Sequence, residues 1–173
     1  MVQSSHFVQF FGTDAALARS VSNFFVEALR ADRTCIMVGT AHHRAQVAEQ
    51  LRAHGIGLGP LVRDKRYLVA DAATVLQRFC TNGQVDHRAF EESVGSMVTD
   101  ALALGRPVSI YGEMVGILAD EGHSHAVIEL ERMWNELGKR IAFTLFCGYM
   151  VPSGVGSDTW VNVCGEHEDV VAA

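Results

Sequence analysis

The chain lacks long hydrophobic runs, basic clusters and paired cysteines, and each absence removes a class of function. Its apolar runs fall well short of the roughly 20 residues a bilayer-spanning helix needs, so no transmembrane segment is expected. The opening MVQSSHFVQFF has neither a basic start nor an Ala-x-Ala pattern, and does not read as a signal peptide. Lys and Arg number 14 against 20 Asp and Glu, giving a formal net charge of −6 with no basic block to offset it. That balance disfavours non-specific nucleic-acid binding and attraction to an anionic membrane. Cys35, Cys80, Cys147 and Cys164 are scattered and form no Cys-x-x-Cys, which predicts free thiols and a cytoplasmic protein.

Catalytic signatures are missing too. There is no Gly-x-Ser-x-Gly elbow and no legible Ser-His-Asp or Cys-His order. The close pairs His42-His43 and His123-Ser124-His125 have no His-Glu-x-x-His or Cys/His-finger spacing around them. Adjacent helical residues point about 100° apart, so such a pair rarely shares one ion. No metal and no other cofactor are therefore expected.

What is present is 173 residues, 49% apolar and 20% charged, enough for one soluble domain spanning 1–173 with a real core. HFVQFF (His6–Phe11) reads as a strand, followed by a Gly12-Thr13-Asp14 turn and a helix marked by Leu17, Val21, Phe24 and Ala28. Cys35–Gly39 is a nearly all-apolar strand, hence buried on both faces. Val47 and Leu51 mark a helix that stops at Gly55, and GIGLGP reads as a connector. Tyr67–Ala70 is a strand, Asp71 caps a small helix, and Thr81-Asn82-Gly83 breaks the chain. Phe90, Val94, Met97 and Ala101 predict one long helix, and Val108–Tyr111 another strand. Val127, Leu130, Trp134 and Leu137 predict a helix before strands at Ile141–Cys147 and Trp160–Cys164. No helix separates those two strands, so they are expected to form an antiparallel hairpin at the sheet edge. The whole is an α/β domain with a largely parallel central sheet flanked by helices.

In such sheets ligands bind beyond the carboxyl ends of the strands. Cys35–Val47, CIMVGTAHHRAQV, has the strand-turn-helix form of a phosphate loop there. It lacks the Gly-Lys-Ser/Thr that would hold phosphate and Mg²⁺. Thr40, His42 and the free N–H groups of the helix remain at the rim, where they suit a carboxylate or another polar ligand. Glu113 in YGEM follows another strand and reads either as a solvated turn residue or as a polar group at a ligand site. Cys147 in FTLFCGY reads on spacing alone as a small buried apolar residue.

Taken in order, HFVQFF, CIMVGT with its His-Arg helix, YGEM, the helix with Glu129, Trp134 and Asn135, LFCGY and the closing VCGEH resemble one family. It is the MEDS family, the methanogen/methylotroph sensory domain also found in the dichloromethane-responsive regulator, and the likeness covers roughly residues 6–171. The resemblance implies a three-layer RecA/KaiC-like fold that has lost its P-loop and serves as a sensor. It implies a small organic ligand, hydrocarbon-derived or other, and a histidine kinase or DNA-binding regulator as partner, in cis or in trans. A homodimer is compatible with it. It adds His6, Cys147, Tyr149 and His167 to Glu113 as matching positions that line the site, with Phe11 standing where a tyrosine is common. The expectation is thus a non-catalytic ligand-binding sensory domain. Its rivals are a degenerate nucleotide-binding protein, a His/Cys/Glu metal-dependent enzyme on a small molecule, and a pure interaction module.

Overall fold

Strands that are apolar on both sides need a helical layer on each face, and the chain supplies both. The computed structural model describes residues 4–151, 163–167 and 169–171. Its elements begin β1 (Ser5–Phe11), α1 (Asp14–Arg30), β2 (Thr34–Gly39), α2 (Ala41–Ala53), α3 (Leu58–Arg63), β3 (Tyr67–Asp71) and α4 (Ala72–Leu76). A small hairpin follows, β4 (Cys80–Thr81) and β5 (Gln84–Val85). Next, α5 (His87–Phe90) runs through a π-helical turn, Glu91–Gly95, into α6 (Ser96–Leu102). The chain continues with β6 (Val108–Gly112), α7 (Met114–Asp120), α8 (Ser124–Gly138), β7 (Thr144–Met150) and β8 (Asp169–Val171).

Six of these strands form one sheet in the order β3-β2-β6-β7-β1-β8, and every neighbouring pair is parallel. Alternation along each strand divides the core in two. Leu17, Val21 and Phe25 of α1 with Val47 and Leu51 of α2 meet Phe11, Cys35, Met37, Tyr111 and Phe146 on one face. On the other, α4, α6, α7 and α8 bring Val75, Val98, Leu118, Leu130 and Trp134 against Val8, Ile36, Ile110, Leu145, Cys147 and Tyr149. All six residues of β2 are buried, as its apolar run predicts. Helix starts are fixed by their own side chains: Thr13, Thr40, Asp71 and Asp86 each accept a backbone N–H three residues on.

The expected antiparallel C-terminal hairpin is not formed. Both edges of β7 are already taken, by β6 on one side and β1 on the other, so no edge is left for a returning strand. The terminal edge strand is instead Asp169–Val171, parallel to β1, with Phe7 opposite Asp169. Of the stretch expected as Trp160–Cys164, Val163 and Cys164 belong to a helical turn, and 160–162 lie outside the described residues. Two helices also escape the sequence pattern. LGPLVR forms α3 with none of its residues buried, and MVGILAD forms α7 directly behind Glu113.

The break at Asn82-Gly83 is a tight hairpin turn, both residues having positive φ (50° and 72°), the backbone that Asn-Gly favours. A Cβ on Gly83 would stand 2.5 Å from the His123 ring. Gly83→Ala is therefore expected to destabilise the fold by about 1 kcal/mol or more, read as a lower urea midpoint with an unchanged slope.

Candidate functional site

At the carboxyl edge of the sheet, β6 delivers Glu113 to the start of α2. The backbone N–H of Glu113 donates to Val38 O at 3.2 Å, which places its side chain beside the end of β2. One carboxylate oxygen then accepts the Thr40 backbone N–H, the donor that a phosphate loop would turn toward its phosphate. The other accepts from His43 Nδ1 at 2.7 Å and from Tyr111 Oη at 3.1 Å. The anion position at this helix start is thus filled by the protein's own carboxylate.

His43 bridges two acids, since its Nε2 lies 3.1 Å from Asp14 Oδ1. The hydrogen bond to Glu113 is the largest effect on its pKa, which outweighs burial and lifts the imidazole from 6.5 to about 8. Burial drives the Glu113 pKa up, but the bonds from His43 and Thr40 win and hold it below the usual carboxylate range. Burial, then the Glu113 charge, push the Tyr111 phenol well up, so it stays a donor. Gly148 keeps that donor in place: a Cβ there would sit 2.6 Å from Tyr111 Oη. A small cavity of about 60 Å³ opens beside this chain of groups, with Leu17, Ile117 and Met150 in its apolar wall and Thr40, His43 and Glu113 in its polar one.

A second cluster lies under α8, on the face of the sheet that carries Cys147 and Tyr149. His6 of β1, Cys147 of β7, Glu131 of α8 and His167 bring four donor atoms within 4.8 Å of one another. His6 Nε2 is 3.2 Å from Cys147 Sγ and 3.2 Å from Glu131 Oε2. Tyr149 Oη donates to Glu131 Oε1 at 2.5 Å, and the Cys147 thiol lies 3.6 Å from Oε2. The Glu131 side chain is fully buried. Burial raises its pKa, yet the His167 and His6 imidazoles more than offset that and hold it well below the usual range. Burial and then the Glu131 charge drive both the Cys147 thiol and the Tyr149 phenol upward.

The structure thus divides the residues expected to share a site. His6, Cys147, Tyr149 and His167 meet under α8, whereas Thr40 and Glu113 meet at the carboxyl edge. His42 is exposed and faces Asp14 at 3.1 Å, and its neighbour His43 takes the inward position. Sequence reasoning passed over Glu131, although it lies on the Val127–Leu130–Trp134 apolar stripe, where a carboxylate needs partners. Glu129, part of the family likeness, faces outward to His87 and His125.

A family model described as MEDS, the MEthanogen/methylotroph, DcmR Sensory domain, matches residues 5–167. No curated protein matches the chain.

The His43–Glu113 pair sets a pH response. Because the folded pKa of His43 is raised from 6.5 to about 8, its contribution is fully present below pH 6.5 and lost as pH rises through about 8. The shift corresponds to about 2 kcal/mol. Glu113 has the opposite sign, and its contribution is lost on acidification through its lowered pKa. Unfolding free energies of the wild type are expected to fall between pH 6.5 and 9, with a smaller fall in Glu113→Gln. The difference between the two proteins isolates His43.

Proposed function

The chain belongs to the MEDS family of sensory domains, and from that premise we propose that it is a ligand-binding input unit whose ligand is a one- or two-carbon organic molecule. The observation that carries this reading is the small cavity at the carboxyl ends of the strands. A cavity needs about 10–15 Å³ of such space to hold one water, so about 60 Å³ takes roughly four to six water-sized groups, the size of a small organic molecule. Its walls favour an apolar body, and the Glu113–His43 pair favours one polar or polarisable group on it. Of the residues expected at the ligand, Thr40 and Glu113 serve here, with His43 in the role expected of His42.

Relay needs a ligand that binds one conformation better than another. Helix α7 is the natural responder. It begins directly after Glu113, and Gly116 and Ile117 on it form part of the cavity wall. Movement of α7 would reach a histidine kinase or a DNA-binding regulator, attached or separate, as the output. The scaffold in this reading is RecA/KaiC-like with its P-loop chemistry gone, and it performs no reaction. The nucleotide-binding alternative is disfavoured by the Glu113 carboxylate, which meets an incoming phosphate with like charge at the Thr40 N–H.

Thermal-shift measurements with a panel of one- and two-carbon halides, alcohols, thiols and amines test this. At least one compound is expected to raise the Tm, while ATP with Mg²⁺ leaves it unchanged. Ile117→Phe, which fills the cavity, is expected to abolish the ligand shift without unfolding the protein. A Tm raised by ATP with Mg²⁺ and indifferent to the whole panel would overturn the proposal.

A further inference from the structure

The geometry points to a tetrahedral site for a divalent transition-metal ion such as zinc, formed by His6, Glu131, Cys147 and His167. It lies under α8, apart from the small cavity at the carboxyl edge, and does not depend on the ligand proposed there.

Size is the first argument. Zinc bonds of about 2.0–2.1 Å to nitrogen and about 2.3 Å to sulfur put neighbouring donors of a tetrahedron roughly 3.3–3.6 Å apart. The observed separations are 3.2 Å for His6 Nε2 to Cys147 Sγ, 3.2 Å for His6 Nε2 to Glu131 Oε2 and 3.6 Å for Cys147 Sγ to Glu131 Oε2. His167 Nε2 stands 3.4 Å from Glu131 Oε1. Three of the donors, from His6, Cys147 and Glu131, already have the spacing of a coordination shell, and all four lie within 4.8 Å of one another.

The second argument is the direction of the imidazoles. His167 Nδ1 lies 2.7 Å from the Val163 carbonyl, an acceptor only, so that nitrogen carries the proton. His6 Nδ1 lies 2.8 Å from Asn135 Oδ1, and Asn135 Nδ2 in turn donates to Glu166 O at 2.7 Å, which fixes the amide with its oxygen toward His6. Each ring in its neutral form then presents an Nε2 lone pair inward, toward a carboxylate and a sulfur. Lone pairs facing a carboxylate repel unless a proton or a cation stands between them. Among the described residues His167 Nε2 has only the Glu131 carboxylate near it, at 3.4 Å and without hydrogen-bond geometry, although the side chain is fully enclosed. Histidines that hand their outer nitrogen to a carbonyl or amide and aim the inner one at a common point are the usual companions of a metal.

The third argument is charge. A dication meets the Glu131 carboxylate and, on binding, a Cys147 thiolate, whose proton leaves to solvent. Two negative charges balance two positive ones inside the core, as a buried ion requires. The N₂SO donor set with a thiolate suits zinc and its neighbours rather than Mg²⁺ or Ca²⁺. Among the described residues an open cleft of about 650 Å³, lined by His6, Asn135 and His167, gives an ion a route in.

Elemental analysis of the full chain, followed by stripping with a chelator and titration with Zn²⁺ or Co²⁺, tests the assignment. One ion per chain is expected, with a Tm that falls on stripping and recovers on addition of Zn²⁺. The Co²⁺ form should show a thiolate charge-transfer band and the ligand-field bands of tetrahedral cobalt. Cys147→Ser should lose the charge-transfer band and Cys80→Ser keep it. Asn135→Ala should weaken Zn²⁺ binding by about 10- to 100-fold while the cobalt bands persist. If Cys147→Ser does not fold, His167→Gln serves, with altered ligand-field bands as the expected result. A stripped protein whose Tm and spectrum ignore both ions would overturn the assignment, as would a cobalt spectrum that Cys147→Ser and His167→Gln leave unchanged.

Discussion

A carboxylate in a protein core has to be answered, and the region under α8 is organised around answering Glu131. Its side chain is fully enclosed, and an unpaired charge there would cost several kcal/mol. The replies come from every element nearby: Tyr149 and Cys147 from β7, His6 from β1, and His167 from the segment after the last helical turn. None of these partners is close to Glu131 in sequence. The requirement therefore fixes where β1 and β7 lie along each other and beneath α8. It also ties residues 163–167 to the sheet. Outer contacts, from Asn135 to Glu166 O and from Arg132 to Glu166 Oε1, fasten the same segment from the surface.

The carboxyl edge follows a different economy of charge. A helix start offers N–H groups without partners, and evolution of phosphate loops exploits them for anions. Here Glu113 takes that place from within the chain. His43 and Tyr111 complete its hydrogen bonding, and Asp14 holds the far side of the His43 ring. The space left over is small, with Leu17, Ile117 and Met150 on one side and Thr40, His43 and Glu113 on the other.

Local patterning carried much of the architecture into view. The all-apolar β2, the helical spacing of Leu17, Val21, Phe24 and Ala28, and the capping Thr13 and Asp71 all act over a few residues, and periodicity reads them. Helix α7 was hidden because MVGILAD is apolar nearly throughout and has no cap hydrogen bond, so nothing distinguishes it from a continued strand end. The C-terminal pairing was hidden for another reason: which edge of a sheet is free depends on every other strand. The site was legible as residue types but not as groupings. His6, Cys147, Tyr149 and His167 converge through the register of β1 with β7, a long-range property. His42 and His43 are distinguished by the phase of α2, which no neighbouring residue announces.

The strand order has a consequence for how the chain comes together during synthesis. β1 is made first, yet it lies between β7 and β8, both made last, and His6 meets Cys147 across 141 positions of sequence. The aromatic HFVQFF segment must therefore wait, without its permanent neighbours, while most of the domain emerges from the ribosome. At about 5–20 residues per second that wait is on the order of ten seconds. Until β7 arrives, native cover for Phe7 comes from α1, whose Phe24 stands edge-on to it. The first helix thus doubles as a shield for a strand whose partners do not yet exist.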